Sequence, residues 1–284
     1  MDFKDDIIYL TVKDHSVSGE TFQLLRDENL DMLETHPQPV LENLGRYYES
    51  DDYISHTDGK RSFFEKIYHA VKQKALKDKI SLVQRFKQSK GELLDIGAGT
   101  GDFLVVAKNH HWDIAGIEPS EKGRGIAESK GIPFIRTLQD VPSQSKDVIT
   151  MWHVLEHVPD VRAQISELKR VLKNDGVIFI AVPNFNSHDA KYYGDYWAAY
   201  DVPRHLWHFS KTAIKKLFAE QDMELVNILP MKFDSFYVSL LSEKYKTGKM
   251  KFFSGFWRGL VSNTKAAKNM EYSSHIYVLK NAKT

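Results

Sequence analysis

A chain of 284 residues with 42% hydrophobic and 27% charged side chains has apolar mass for a sizeable core and the charge of an ordinary globular protein. Its 39 basic and 38 acidic side chains leave a formal net charge of +1, which argues against a general nucleic-acid-binding field, so no nucleic-acid partner is expected. The chain has no cysteine, which excludes disulfides, a zinc ribbon and a thiol nucleophile, and no run of some 18 apolar residues that would span a membrane.

Residues 1–15 carry charges on both sides of a short apolar run and do not read as a secretory signal, so a cytoplasmic location is expected. Residues 7–12 and 21–26 suggest a hairpin, followed by a loop with Pro37 and Pro39 and a helix over about 62–88. A strand at 93–96 then stops at Gly97-Ala98-Gly99-Thr100-Gly101. The pattern continues with a helix at 102–109, a strand at 114–117, a helix at 122–130 and a short strand at 134–135. A strand at 148–152, an amphipathic helix at 161–172, a turn at 174–176 and a strand at 177–182 follow. Ser210 reads as the N-cap of a helix to 221, and 224–229 and 276–280 read as closing strands.

Strands alternating with helices predict an α/β fold: a parallel sheet covered on both faces, with ligands at the carboxyl ends of its strands. Residues 1–90 form an N-terminal extension with a lid helix, and residues 91–284 the main domain. Segments 183–208 and 230–273 interrupt the alternation with aromatic, Gly-containing sequence. They read either as substrate caps or as packing and dimerisation elements.

The turn Asp95-x-Gly97-x-Gly99-x-Gly101 sits between a strand and a helix N-terminus, where main chain can approach a ligand closely. A dinucleotide site wants its third Gly three positions after the second, where this chain has Asp102. Glu118, ending the next strand, can accept both ribose hydroxyls, a feature that also suits NAD. Asp95 can attract the ammonium of an amino-acid-like cofactor and would repel a pyrophosphate.

Residues 93–101 resemble motif I of class I S-adenosylmethionine-dependent methyltransferases. Glu118-Pro119-Ser120 resembles the acidic motif after their second strand, residues 147–158 the segment around their fourth, and 168–176 the helix-turn before their fifth. The likeness runs from about 91 to 229 and is nearest to a bacterial subgroup similar to quinone-biosynthesis O-methyltransferases. It implies a Rossmann-like, doubly wound, mostly parallel seven-stranded sheet. It also implies S-adenosylmethionine as cofactor, S-adenosylhomocysteine as product, and a cofactor site of Asp95, Gly97, Gly99, Gly101, Glu118 and Pro119. Leu138 and Gln139 would lie near the adenine, with Asp140 as a displaced acidic residue. Tyr53 and His56 would belong to an upstream aromatic lid, surface packing being the competing reading.

Methyl transfer aligns acceptor, methyl and sulfur, and a neutral hydroxyl also needs a base. Trp152 can border a sulfonium or pack in the core, and His153 is a candidate base. In Asp201-Val202-Pro203-Arg204-His205-Leu206-Trp207-His208, a stretch that recurs in the same subgroup, Arg204 can fork an anionic substrate group and His205 or His208 can act as base. The bland reading is that all three staple the loop, and it is favoured for His208. Glu156-His157 matches a metal-binding pair of some quinone methyltransferases, but without the remaining acidic ligands no metal is expected. Methyl transfer to a small-molecule acceptor follows, with oxygen favoured and a quinone precursor, a sugar or a lipid-like metabolite as acceptor. An NAD-dependent oxidoreductase and a non-catalytic nucleotide-binding domain are the competing functions. A monomer or homodimer is expected; the lysine-rich stretch 244–251 reads as a solvated face, and the following Phe252, Phe253, Phe256 and Trp257 leave an apolar substrate or a membrane-surface contact open.

Overall fold

The computed structural model describes residues 7–48 and 63–282. The N-terminal hairpin is β1 (Ile7–Lys13) and β2 (Thr21–Asp27), and a third strand, β3 (Met32–His36), continues it. The sequence reading did not anticipate β3. A short helix α1 (Leu41–Leu44) follows, then the long helix α2 (Phe63–Phe86).

The main sheet starts with β4 (Glu92–Ile96), α3 (Asp102–Asn109), β5 (Asp113–Ile117) and α4 (Glu121–Ser129). It continues through β6 (Lys146–Trp152), α5 (Val161–Val171) and β7 (Leu172–Pro183). After α6 (His188–Tyr193) come β8 (Trp207–Phe209), α7 (Lys211–Ala219) and β9 (Met223–Pro230). Helices α8 (Asp234–Thr247) and α9 (Phe252–Asn269) then precede β10 (Ser274–Asn281).

Six strands form the central sheet in the order β5-β4-β6-β7-β10-β9. The first four run parallel, and β10 is antiparallel to both its neighbours. The seventh strand expected at 134–135 shrinks to a single bridge between Gly116 and Phe134. Pro133 supplies only its carbonyl there, to the Gly116 N–H, so the ladder cannot extend.

Period-two alternation divides the sheet's side chains between two cores. Leu94, Ile96, Ile149, Met151, Ile178 and Ile180 meet α5 and α7 on one face. Leu93, Val148, Val177 and Phe179 meet α2 and α3 on the other. Helix α5 shows why such a segment docks: Val161, Ile165, Leu168 and Val171 form one stripe of full burial, worth about 1.5–3 kcal/mol per side chain. Its N-cap is Asp160, whose carboxylate accepts from the Arg162 and Ala163 amides. The helix ends one residue before the expected 172, because Leu172 already opens β7, and the expected turn at 174–176 is a bulge within that strand.

The second sheet has the order β1-β2-β3-β8. Met32, Leu33 and Glu34 pair with Phe209, His208 and Trp207, so the N-terminal strands are hydrogen-bonded to a piece of the later chain. Segment 183–208 packs beneath them, with Phe185, Trp197 and Tyr200 buried beside Phe22, Leu24 and Leu33. Segment 230–273 is the α8–α9 hairpin.

Candidate functional site

Asp95 is the next-to-last residue of β4, set between Gly116 of β5 and Thr150 of β6. It is buried, and the Thr150 hydroxyl donates to it at 2.5 Å. Burial raises its pKa to about 7, against the opposing pull of the Thr150 bond and the Lys79 charge.

Past β4 the chain must turn sharply, and Gly97, Gly99 and Gly101 all take positive φ, at 71°, 53° and 75°. Their reasons differ. A Cβ on Gly97 would lie 2.3 Å from Val154 Cγ2, and one on Gly101 2.8 Å from the Ala127 Cβ, so both are demanded by packing. A Cβ on Gly99 would meet nothing within 4 Å, so the main chain there fronts open space. The Glu118 carboxylate reaches across this turn, accepting from the Gly99 amide at 2.7 Å and the Ser120 amide at 2.8 Å. Pro119 is exposed between Glu118 and Ser120, the N-cap of α4. Asp102, where a dinucleotide motif would have glycine, ion-pairs with Lys72 and Lys130, both at 2.6 Å.

Leu138, expected near the adenine, is buried beside Ile96 and Ile117, close to the carboxyl ends of β4 and β5. Asp140 is committed, capping its own turn by accepting from the Thr137 amide and hydroxyl. Tyr53 and His56 lie outside the described residues.

Trp152 ends β6. Its ring meets Phe103 edge-on at 5.5 Å, and its buried indole N–H has no partner among the described residues. The Lys79 ammonium stands 4.3 Å from the ring centroid. The sequence reading missed Lys79, since nothing distinguishes it from the other lysines of α2.

His153 follows with φ of 59°, held by its N–H to the Ala181 carbonyl at 2.9 Å. Its ring lies 3.3 Å from Glu156 Oε1 and 3.0 Å from Asp234 Oδ2. Burial opposes its charge, but the two carboxylates outweigh it and raise the pKa to about 10. The two carboxylates thus favour the protonated ring at neutral pH, a form with no lone pair to act as a base. Asp234, at the start of α8, was another residue the sequence did not reveal, because it lies 81 positions away.

His205 is the opposite case. Its Nδ1 faces the Ala199 carbonyl at 2.9 Å and must donate, leaving Nε2 unprotonated in the neutral ring. Burial and the nearby His157 lower its pKa to about 4. Nε2 sits 4.0 Å from Glu156 and 3.9 Å from Asp201. Glu156 is fully buried, and its Oε2 has no partner among the described residues. Burial disfavours its charge, yet the facing histidines hold its pKa well below the usual range. Ligand atoms of Glu156, His157 and His205 lie within 4.8 Å of one another. Imidazole and carboxylate in that arrangement could hold a divalent ion.

Arg204 is buried, and each of its nitrogens is engaged internally. Nε bonds Asp201, Nη1 bonds the Tyr47 carbonyl at 2.8 Å, and Nη2 bonds Asp14, Asp201 and Ser16. The fork expected to hold a substrate anion is already committed to stapling the loop to the N-terminal hairpin. His208 is stapled too. The Thr35 hydroxyl gives its proton to the His205 carbonyl at 2.7 Å, so it must accept from His208 Nε2 at 3.1 Å.

The chain belongs to the methyltransferase domain family, whose model matches residues 68–228. It is 28% identical over 160 residues to the uncharacterized methyltransferase YcgJ of Bacillus subtilis (strain 168), covering 50% of this chain and 62% of that protein. It is 32% identical over 107 residues to the ubiquinone biosynthesis O-methyltransferase of Actinobacillus pleuropneumoniae serotype 5b, covering 33% of this chain and 46% of that one. The chain thus spans only about half to three-fifths of these curated relatives. Among solved structures it is similar to magnesium protoporphyrin IX methyltransferase from Synechocystis PCC 6803 with bound S-adenosylhomocysteine. The TM-score is 0.53 at 15% identity, over 84% of this chain and 92% of that one. Phosphoethanolamine N-methyltransferase 2 of Haemonchus contortus gives a TM-score of 0.52 at 13% identity, over 73% of this chain and 53% of that one. These two show the shared Rossmann-like fold.

Proposed function

We propose that this chain is an S-adenosylmethionine-dependent methyltransferase acting on a hydroxyl of a small molecule. One observation carries the reading: Glu118 lies across the open main chain at Gly99, with Asp95 buried at the neighbouring strand end. Glu118 would take the ribose hydroxyls, the Gly97–Gly101 turn would face the nucleoside, and Asp95 would hold the amino-acid ammonium. Bound there, the cofactor supplies a methyl group already activated by its sulfonium. Trp152 offers that cation an aromatic face, and the Lys79 ammonium on the same ring supports the assignment.

For the acceptor proton, His205 is the available base, because its Nε2 is free while His153 is held charged. Imidazolium His153, between Asp234 and Glu156, acts instead as a fixed positive group that secures α8 over the strand ends. Arg204 is a positioning residue that holds Asp201 and the backbone carrying His205. The O-methyltransferase among the relatives supports oxygen as the acceptor atom.

Calorimetric titration tests the site. S-adenosylhomocysteine should bind and NAD should not, and Gly99→Val should abolish binding by filling the space its neighbours leave open. Unchanged affinity in that variant, or preference for NAD, overturns the assignment. With an acceptor from a panel of quinone precursors, sugars and lipid-like alcohols, His205→Ala should lower kcat by about a hundredfold or more while cofactor affinity holds.

A further inference from the structure

A helix lying on a protein normally turns its large apolar side chains inward, and α9 does the reverse. Its inner face is Gly255, Gly259, Ser262 and Ala266, all buried, with the two glycines against α8 and Ser262 bonded to Asp189 of α6. A Cβ on Gly255 would lie 2.8 Å from the Leu240 Cα, and one on Gly259 2.8 Å from the Phe236 ring, so the helix cannot roll to bury anything larger. The outer face carries Phe253, Phe256, Trp257 and Leu260, spaced three and four apart and exposed by 86%, 59%, 54% and 40%. Charge is equally one-sided. From residue 244 to 270 there are seven Lys and Arg and no Asp or Glu, in a chain whose net charge is only +1. Lys249 and Lys251 are exposed in the turn that leads into the aromatic stripe.

We propose that the α8–α9 hairpin docks on an anionic lipid bilayer, with α9 lying in the plane of the interface. The aromatic stripe enters the boundary between headgroups and acyl chains while the flanking lysines meet anionic headgroups. Among the described residues no helix is long and apolar enough to cross a membrane, so the contact is a surface one. A second copy of this chain fits poorly, because symmetric pairing would oppose two sets of seven cations. RNA matches the charge, but the continuation of the stripe in Leu260 and the exposed Met250 favours acyl chains.

The test is co-sedimentation of the full chain with vesicles of phosphatidylcholine alone and of phosphatidylcholine with phosphatidylglycerol in equal parts. The chain should partition only onto the mixed vesicles, and less so as salt rises. Lys249→Glu with Lys251→Glu should weaken partitioning by about 30-fold or more. Phe253→Ser with Trp257→Ser should weaken it by at least about tenfold. Both variants should keep the wild-type circular dichroism and unfolding midpoint, and if one fails to fold the other decides. A wild-type chain indifferent to the mixed vesicles overturns the proposal, as do variants that partition like it. So does a result in which the same substitutions instead dissolve a dimer or abolish RNA binding.

Discussion

Asp95 places a nearly neutral-titrating carboxyl at the strand end where the proposed function seats an ammonium. Its folded pKa of about 7 lies above the ordinary carboxyl value, so the folded chain keeps a proton that the unfolded chain releases. On its own account this side chain therefore lowers stability as pH rises from about 4 to 7. For an ammonium ligand the same shift works the other way, since only the ionised form attracts it. Affinity for S-adenosylhomocysteine should rise about tenfold between pH 6 and 8, and Asp95→Asn should flatten that profile. Lys79 favours the ionised form, so Lys79→Met should move the midpoint to higher pH. Calorimetry across that range would expose the error if wild-type affinity were constant.

The N-terminal hairpin and the loop at 201–208 depend on one another. Arg204 joins them, with Asp14 on one side and Asp201 on the other; Arg204 and Asp14 are buried, and Asp201 is partly so. Removing Arg204 leaves Asp14 buried with only its local bonds from Ser16, Val17 and Ser18, and breaking a buried pair costs about 3–5 kcal/mol at most. Arg204→Ala should thus lower unfolding stability by that order in a denaturant titration while the folded fraction binds S-adenosylhomocysteine normally. Had Arg204 held substrate, the main effect would be a raised KM for the acceptor with stability intact. Elements were legible where the physics is local. The glycine turn at 97–101, the apolar stripe of α5 and the strand ending at Trp152 each announce themselves within a dozen residues. What could not be read depends on distant partners. Residues 32–36 (Met-Leu-Glu-Thr-His) alternate only weakly, and β3 forms because β2 and β8 lie on either side of it. The raised pKa of His153 owes most to Asp234 of α8, and the engagement of Arg204 to Asp14, 190 positions away.

At the scale of the molecule, the two sheets share a core rather than merely touching. Leu30 and Met32 of the N-terminal segment lie in the same apolar cluster as Leu94, Ile149 and Ile178 of the central sheet. Trp207 and Phe209 belong to that cluster too, and β8 contributes backbone bonds to β3 as well. Apolar packing and the buried Arg204–Asp14 and Thr35–His208 contacts together tie residues 7–36 to the rest, so the described chain should unfold in a single cooperative step. A ligand of the glycine turn should then stabilise every part of it. At a hundred times its dissociation constant, S-adenosylhomocysteine adds about 2.7 kcal/mol, which for a chain of this size shifts the midpoint by roughly 4–5 °C. Differential scanning calorimetry should show one endotherm that moves as a whole. Two endotherms, with only the later one shifted by ligand, would mean that the N-terminal sheet melts separately and that the β3–β8 seam does not transmit the stabilisation.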